Sequence, residues 1–87
     1  MNMEKAEILA FQGLGWLASD EDGLKRFLAL SGLDASSLRS QAGAPDMSVA
    51  VLDFLLAQED LLLRFCESAA IEPKALHLAR YRLGGEV

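Results

Sequence analysis

The stretch Leu14–Phe27 reads LGWLASDEDGLKRF, and thirty-eight residues later the stretch Leu52–Phe65 reads LDFLLAQEDLLLRF. Extending the comparison to residues 14–38 gives eight identities in twenty-five positions, four of which are not leucine. Such self-similarity predicts two copies of one helical unit. Two copies are too few for an open solenoid, so the units at about residues 5–43 and 44–83 are expected to pack face to face in one core.

The first unit carries the start and stop signals of three helices. An apolar helix is predicted over about Glu4–Ala18, after which Ser19 or Asp20 caps a second helix. Gly32 is expected to end the second helix, because glycine adopts the left-handed conformation found just after helices. Asp34 then caps a short third helix.

The second unit carries comparable signals. Pro45 or Asp46 begins a helix, Gln58–Asp60 marks a junction, and Pro73 lies in the first turn of the last helix. The last helix is expected to end at Gly84-Gly85. Three of its residues are predicted to pack inward, namely Leu76, Tyr81 and Leu83.

The predicted fold class is therefore all-α, a compact bundle of five to six short helices in a single domain over residues 1–87. No stretch alternates apolar and polar residues as a half-buried strand does, and no hairpin dipeptide occurs. Two glycines inside the first helix, Gly13 and Gly15, predict either a close approach of a second helix or a kink. Gly15 corresponds to Asp53 in the second unit, so this is the expected crossing point.

Composition narrows the class of function. Apolar residues make up 52% of the 87 residues, which is enough to leave apolar surface for a protein partner or a homodimer. The net charge of −5 disfavours nucleic acid and anionic membranes as partners. No apolar run approaches the length of a membrane span, and the residues before Ile8 carry net negative charge, unlike a signal peptide. We expect a cytoplasmic protein.

The repeated charged residues are interpreted as structural. Asp22 precedes Arg26 by four residues, and Asp60 precedes Arg64 by four, which is the spacing of ion pairs on a helix surface. The alternative is a cation site built from the repeated Glu-Asp pairs. Arg26 and Arg64, together with Trp16, are the candidate partner-binding residues, because arginine and tryptophan are enriched at interface hot spots.

Two further residues carry reactive groups but no recognisable motif. Asp53 has only apolar neighbours one turn away on its helix, so it needs an arginine, backbone N–H groups or a position at the edge of the domain. Cys66, the single cysteine, is expected to be buried. The sequence predicts no catalytic residue, no metal site and no cofactor.

A helix-turn-helix is the main alternative for function. Residues 23–42 and 61–80 each have the length of that motif. The last helix would enter the DNA groove, and its candidate contacts are Lys74, His77, Arg80 and Arg82.

Several stretches together resemble a known family. They are Trp16–Asp22, Arg26–Asp34, Ser37–Arg39, Val51–Leu56 and Glu59–Cys66. The chain resembles, from about Ala6 to Leu83, a family of short helical proteins found mainly in alphaproteobacteria and catalogued as a domain of unknown function. The resemblance implies a cytosolic bacterial protein and supplies no catalytic residue.

Three functions follow as hypotheses. The first is a non-enzymatic protein–protein interaction or adaptor module, whose interface lies on the apolar first helix or in the groove between the two units. The second is DNA binding through the basic last helix. The third is a small ligand-binding protein or enzyme, with Asp53 or Cys66 lining a pocket.

Overall fold

Side-chain caps mark where the first three helices begin. Asn2 accepts a hydrogen bond from the backbone N–H of Lys5 at 2.8 Å, and Asp20 accepts one from Gly23 at 2.8 Å. The computed structural model describes residues 1–84, and these residues form six helices and no strand. The helices are α1 (Met3–Ser19), α2 (Glu21–Ser31), α3 (Ala35–Ser40), α4 (Pro45–Ala57), α5 (Glu59–Ala69) and α6 (Pro73–Arg82).

The predicted helix ends are largely confirmed. Asp34 caps α3 by accepting from the backbone N–H of Ser37 at 2.7 Å, and Pro45 is the first residue of α4. Gly32 follows α2 in the left-handed conformation, with φ of 76°. The last helix ends at Arg82, and Gly85 lies outside the described residues.

The helices of the two predicted units have matching boundaries. A shift of thirty-eight residues carries α2 onto α5, the end of α1 onto the end of α4, and the start of α3 onto the start of α6. Ala70, the counterpart of Gly32, is also left-handed, with φ of 57°. The units differ at their ends, because α3 has 6 residues and α6 has 10. That the units are copies of each other stays a prediction, with which these boundaries are consistent.

The centre of the molecule is the contact between α1 and α4. Around this pair, α2 packs on α1, α5 packs on α4, and α6 packs against both central helices. The core is wholly apolar, and its large fully buried side chains come from four helices: Leu17, Val51, Leu52, Leu55, Leu61, Phe65 and Leu76.

Aromatic side chains link the two units in a reciprocal way. Trp16 of the first unit lies 5.9 Å from Phe65 of the second, measured between ring centroids. Phe54 of the second unit lies 5.2 Å from Phe27 of the first. The shift that carries Trp16 onto Phe54 also carries Phe27 onto Phe65, so the two contacts are equivalent. Edge-on and tilted ring pairs of this kind add to the stabilisation from burial alone.

The close helix approach predicted from the two glycines occurs at Gly13 only. A Cβ atom at Gly13 would lie 3.0 Å from Leu55 Cδ1 and 3.3 Å from Val51 Cγ1, so α4 packs directly against the backbone of α1. At Gly15 a Cβ would meet nothing within 4 Å, and the residue is exposed. The expectation that the helices cross at Gly15 was wrong, because that residue lies on the outer face of α1.

The inward packing predicted for the last helix holds in part. Leu76 is fully buried and Leu83 is half-buried. Tyr81 is 67% exposed, so its predicted inward position was wrong. The buried face of α6 is set by Leu76 and Ala79, and Tyr81 lies two residues beyond Ala79, on a different side of the helix.

The two glycines of α1 should respond oppositely to alanine. Gly13→Ala adds a methyl group against Leu55 and Val51, neither of which is exposed, and overpacking of a core costs about 1–3 kcal/mol. Gly15→Ala adds a methyl group in open space and removes a helix-interior glycine, which should stabilise the fold by roughly 0.5–1 kcal/mol. Urea unfolding in dilute solution measures both changes. A Gly13→Ala variant as stable as Gly15→Ala would contradict the close approach.

Candidate functional site

Arg26 lies at the centre of a cluster of charges between α2 and α5. Its guanidinium donates to both carboxylate oxygens of Asp60, at 3.0 and 2.9 Å, and to Asp22 at 2.7 Å. A third acceptor, the side-chain amide oxygen of Gln58, lies at 3.4 Å. The predicted pairing of Arg26 with Asp22 is confirmed, and the bidentate bond to Asp60 additionally joins the two units.

Arg64 completes the same cluster from the second unit. It donates to Asp20 at 3.3 Å and to Asp22 at 3.5 Å, and its guanidinium carbon lies 5.7 Å from the centre of the Trp16 ring. The predicted pairing of Arg64 with Asp60 four residues earlier was wrong. Asp60 is held instead by Arg26, and Arg64 turns toward the acids at the start of α2.

The charge cluster shifts the pKa values of its members. The hydrogen bonds from Arg26 lower the pKa of Asp60, and the bonds to Asp60 and then Asp22 raise the pKa of Arg26. Both groups therefore stay charged across the neutral range. The cluster brings together the three candidate partner-binding residues, Trp16, Arg26 and Arg64. Their contacts with one another and with the acids join α1, α2 and α5.

The alternative of a cation site fits this cluster poorly. Asp20, Asp22 and Asp60 each accept from an arginine, which supplies the positive charge that a metal ion would bring. Within residues 1–84 there is no group of three or more histidine, cysteine or acidic side chains that could hold a metal ion.

Asp53 is satisfied by one of the partners that the sequence allowed. The ε nitrogen of Arg80 donates to its carboxylate at 2.6 Å, which ties α6 to α4. The carboxylate lies on the rim of a groove of about 230 Å³, whose walls include Phe27, Leu30 and Phe54. The side chain of Asp53 is 56% exposed, so this pair is a surface contact.

The four basic residues of α6 differ in exposure and in pairing. Arg80 pairs with Asp53 and is the more buried of the two, with 24% of its side chain exposed. The other three candidate DNA contacts, Lys74, His77 and Arg82, are exposed. They share that side of the helix with exposed Leu78 and Tyr81.

Cys66 is buried as predicted. It is 5% exposed, within the apolar core, and burial raises the pKa of its thiol. Both effects suppress the thiolate, which is the reactive form of cysteine.

A groove between α1 and α3 is lined mainly by apolar residues. It has a volume of about 190 Å³, and two of the residues that line it, Phe11 and Ala42, also line a neighbouring opening of about 390 Å³. The first part is lined by Phe11, Leu14, Gly15, Ala18, Leu38, Arg39 and Ala42. Glu4, Glu7 and Ile8 line the second part, and we call the two parts together the α1–α3 groove.

Ile8 and Phe11 are the residues of this groove that the sequence analysis did not single out. They are 52% and 62% exposed, on the face of α1 opposite its buried residues. The signal was present in the sequence, since Ile8, Phe11, Gly15 and Ala18 are spaced by three, four and three residues. This second apolar stripe is additional to the one that faces the core.

The groove lies at a place where the two units differ in a pair of residues. The counterparts of Gly15 and Ala42 in the second unit are Asp53 and Arg80, which form the ion pair between α4 and α6. In the first unit the same place holds only a hydrogen atom and a methyl group. The helix that would cover it is also shorter, since α3 ends at Ser40.

The family of the chain follows from a match over nearly its whole length. A family model described as "Protein of unknown function (DUF3572)" matches residues 3–86. The chain belongs to this family. The predicted membership in a family of unknown function is therefore confirmed.

Comparison with other proteins adds no function to this family assignment. No curated protein and no solved structure matches the chain significantly. Of the helices in the part of the chain that the structure describes, none is long and apolar enough to cross a membrane.

The charge cluster should make stability depend on pH in the acid range. Because the folded state lowers the pKa of Asp60, its contribution is fully present above the unfolded pKa, about 3.9, and is lost as the pH falls through the lowered value. Arg26→Gln should lower stability at neutral pH and weaken this acid dependence, as measured by urea midpoints at several pH values.

Lys25→Gln is the matched control for Arg26→Gln, because it removes the same charge from the neighbouring position. Lys25 takes part in none of the five ion pairs among residues 1–84. An equal change in acid dependence for the two variants would contradict the role given to Arg26.

Cys66 should react with a thiol reagent only when the core opens. In the variant Ser68→Cys the new thiol lies exposed on the same helix, so one thiol should react fast and Cys66 roughly a hundredfold more slowly, or slower still. Absorbance of the released thiolate from a disulfide reagent follows both phases. Fast reaction of both thiols in the folded protein would contradict the burial of Cys66.

Proposed function

We propose that this chain is a non-enzymatic protein–protein interaction module of the bacterial cytoplasm, with the α1–α3 groove as its docking surface. The observation that carries the proposal is the exposure of Phe11 and Ile8 beside an apolar floor. An exposed aromatic at the edge of a concave apolar surface is the arrangement found at the anchor points of protein interfaces. Helical partners commonly dock in such grooves.

Charge supports a protein ligand in preference to nucleic acid. The chain carries a net charge of −5, and the groove itself has Glu4 and Glu7 at one end. Phosphate contacts dominate nucleic-acid affinity, and they need several arginines or lysines on one face. Arg80 is already held by Asp53, which leaves Lys74 and Arg82 as the full positive charges of the α6 surface.

The matched variants Phe11→Arg and Leu30→Arg test the proposal. Both replace an exposed apolar side chain on a helix by arginine, and only Phe11 lines the α1–α3 groove. Each tagged variant and the parent chain are recovered from cell lysates with and without nuclease treatment, and bound proteins are quantified by mass spectrometry. We expect a stoichiometric partner that Phe11→Arg loses by at least about tenfold, in line with a hot-spot residue, and that Leu30→Arg retains.

Two results would overturn this assignment. A partner set that is the same for all three chains would exclude the groove as the docking surface. Loss of every partner on nuclease treatment would favour nucleic acid, with Lys74, His77 and Arg82 as the contacts to test next.

A further inference from the structure

The stripe of α1 that borders the groove is asymmetric in size. Ile8 and Phe11 are large and lie toward the N-terminal end, whereas Gly15 and Ala18 are small and lie toward the C-terminal end. All four are exposed. A helix laid along this stripe therefore meets two projections followed by two hollows.

We propose that the groove is filled by α1 of a second copy of this chain, in antiparallel orientation. This inference rests on the proposed function and names the occupant of its docking surface. Antiparallel pairing about the midpoint of Phe11 and Gly15 sets Phe11 of each copy over Gly15 of the other. The same alignment sets Ile8 over Ala18, so every projection faces a hollow, and one two-fold axis satisfies both copies.

The position of Arg39 supports the same orientation. Glu4 and Glu7 lie at one end of the groove and Arg39 lies in the part lined by Gly15 and Ala18, toward the other end. The antiparallel arrangement brings Arg39 of each copy to the acidic end of the other. Parallel pairing would set Glu7 against Glu7 and Phe11 against Phe11, which stacks like charges and leaves the hollows empty.

Arg39 is available for this contact. It takes part in none of the five ion pairs formed among residues 1–84, and its side chain is exposed. Arg26, Arg64 and Arg80 are all held by acids of their own chain. Arg39 is therefore available to form an ion pair with Glu7 of a second copy.

Charge reversal tests the pairing by sedimentation equilibrium from micromolar to millimolar concentration. The parent chain should form a dimer of twice the 9.4 kDa protomer mass. Arg39→Glu and Glu7→Arg should each weaken the dimer by at least about fivefold, since each change places like charges together at two symmetric contacts. The double variant should recover most of the loss. Single variants with unchanged affinity, or a double variant as weak as either single one, would overturn the proposal.

Gly15→Glu separates docking from folding. Its side chain enters open space on the monomer and replaces a helix-interior glycine, so the monomer should be no less stable. In the dimer it fills the hollow that receives Phe11, and self-association should fall by at least about a hundredfold, as expected for an overpacked, charged interface. Leu63→Glu on α5, another exposed apolar position, is the control and should leave the dimer intact.

Spin labels give the orientation. A label at Gln12, near the two-fold axis, should give a short distance between copies, and a label at Lys5, near one end of α1, should give a longer one. Similar short distances at both positions would indicate parallel pairing and contradict the arrangement proposed.

Failure to dimerise and failure to bind any protein can be distinguished. A chain that stays monomeric to millimolar concentration excludes a second copy as the occupant and leaves the groove open to a different protein. The interaction role itself fails when Phe11→Arg leaves all bound proteins in place, or when nuclease treatment removes every bound protein.

Discussion

The contact of α4 with the backbone of α1 at Gly13 is the constraint on which the rest of this structure depends. Because Gly13 has no side chain, Leu55 and Val51 can approach α1 directly and remain fully buried. This closeness lets α6 pack against both central helices at once. It also brings Trp16 into contact with Phe65. The charged starts of α2 and α5 lie close enough for Arg26 to bind Asp60 and for Arg64 to bind Asp22.

Most of the fold could be predicted from the sequence, because its helix boundaries depend on local chemistry. Asp34 as a cap, Gly32 as a terminator and Pro45 as a first helical residue act within one turn of their own position. The errors concern which side of a helix faces the core. Gly15 and Tyr81 were expected to face the core, and both are exposed. Which side of α1 or α6 faces the core depends on where the neighbouring helices pack, and no local sequence signal specifies this.

The candidate site was harder to predict, for two physical reasons. Arg64 was assigned to the acid four residues earlier in its own helix, yet the acids at the start of α2 compete for it across the interface between the units. The α1–α3 groove, in turn, arises from what is missing. Gly15 and Ala42 leave empty the place that an ion pair fills in the second unit, so only the spacing of apolar and small residues along α1 points to the groove.

The charge cluster distributes its bonds unevenly between equivalent positions. Asp22 accepts from both Arg26 and Arg64, whereas its counterpart Asp60 accepts from Arg26 alone. A neutral residue at position 22 therefore deprives two arginines of an acceptor, and the same change at position 60 deprives one. Without the charge at position 22 each arginine keeps one acid, Asp60 for Arg26 and Asp20 for Arg64, whereas without the charge at position 60 Arg26 depends on Asp22, which it shares with Arg64.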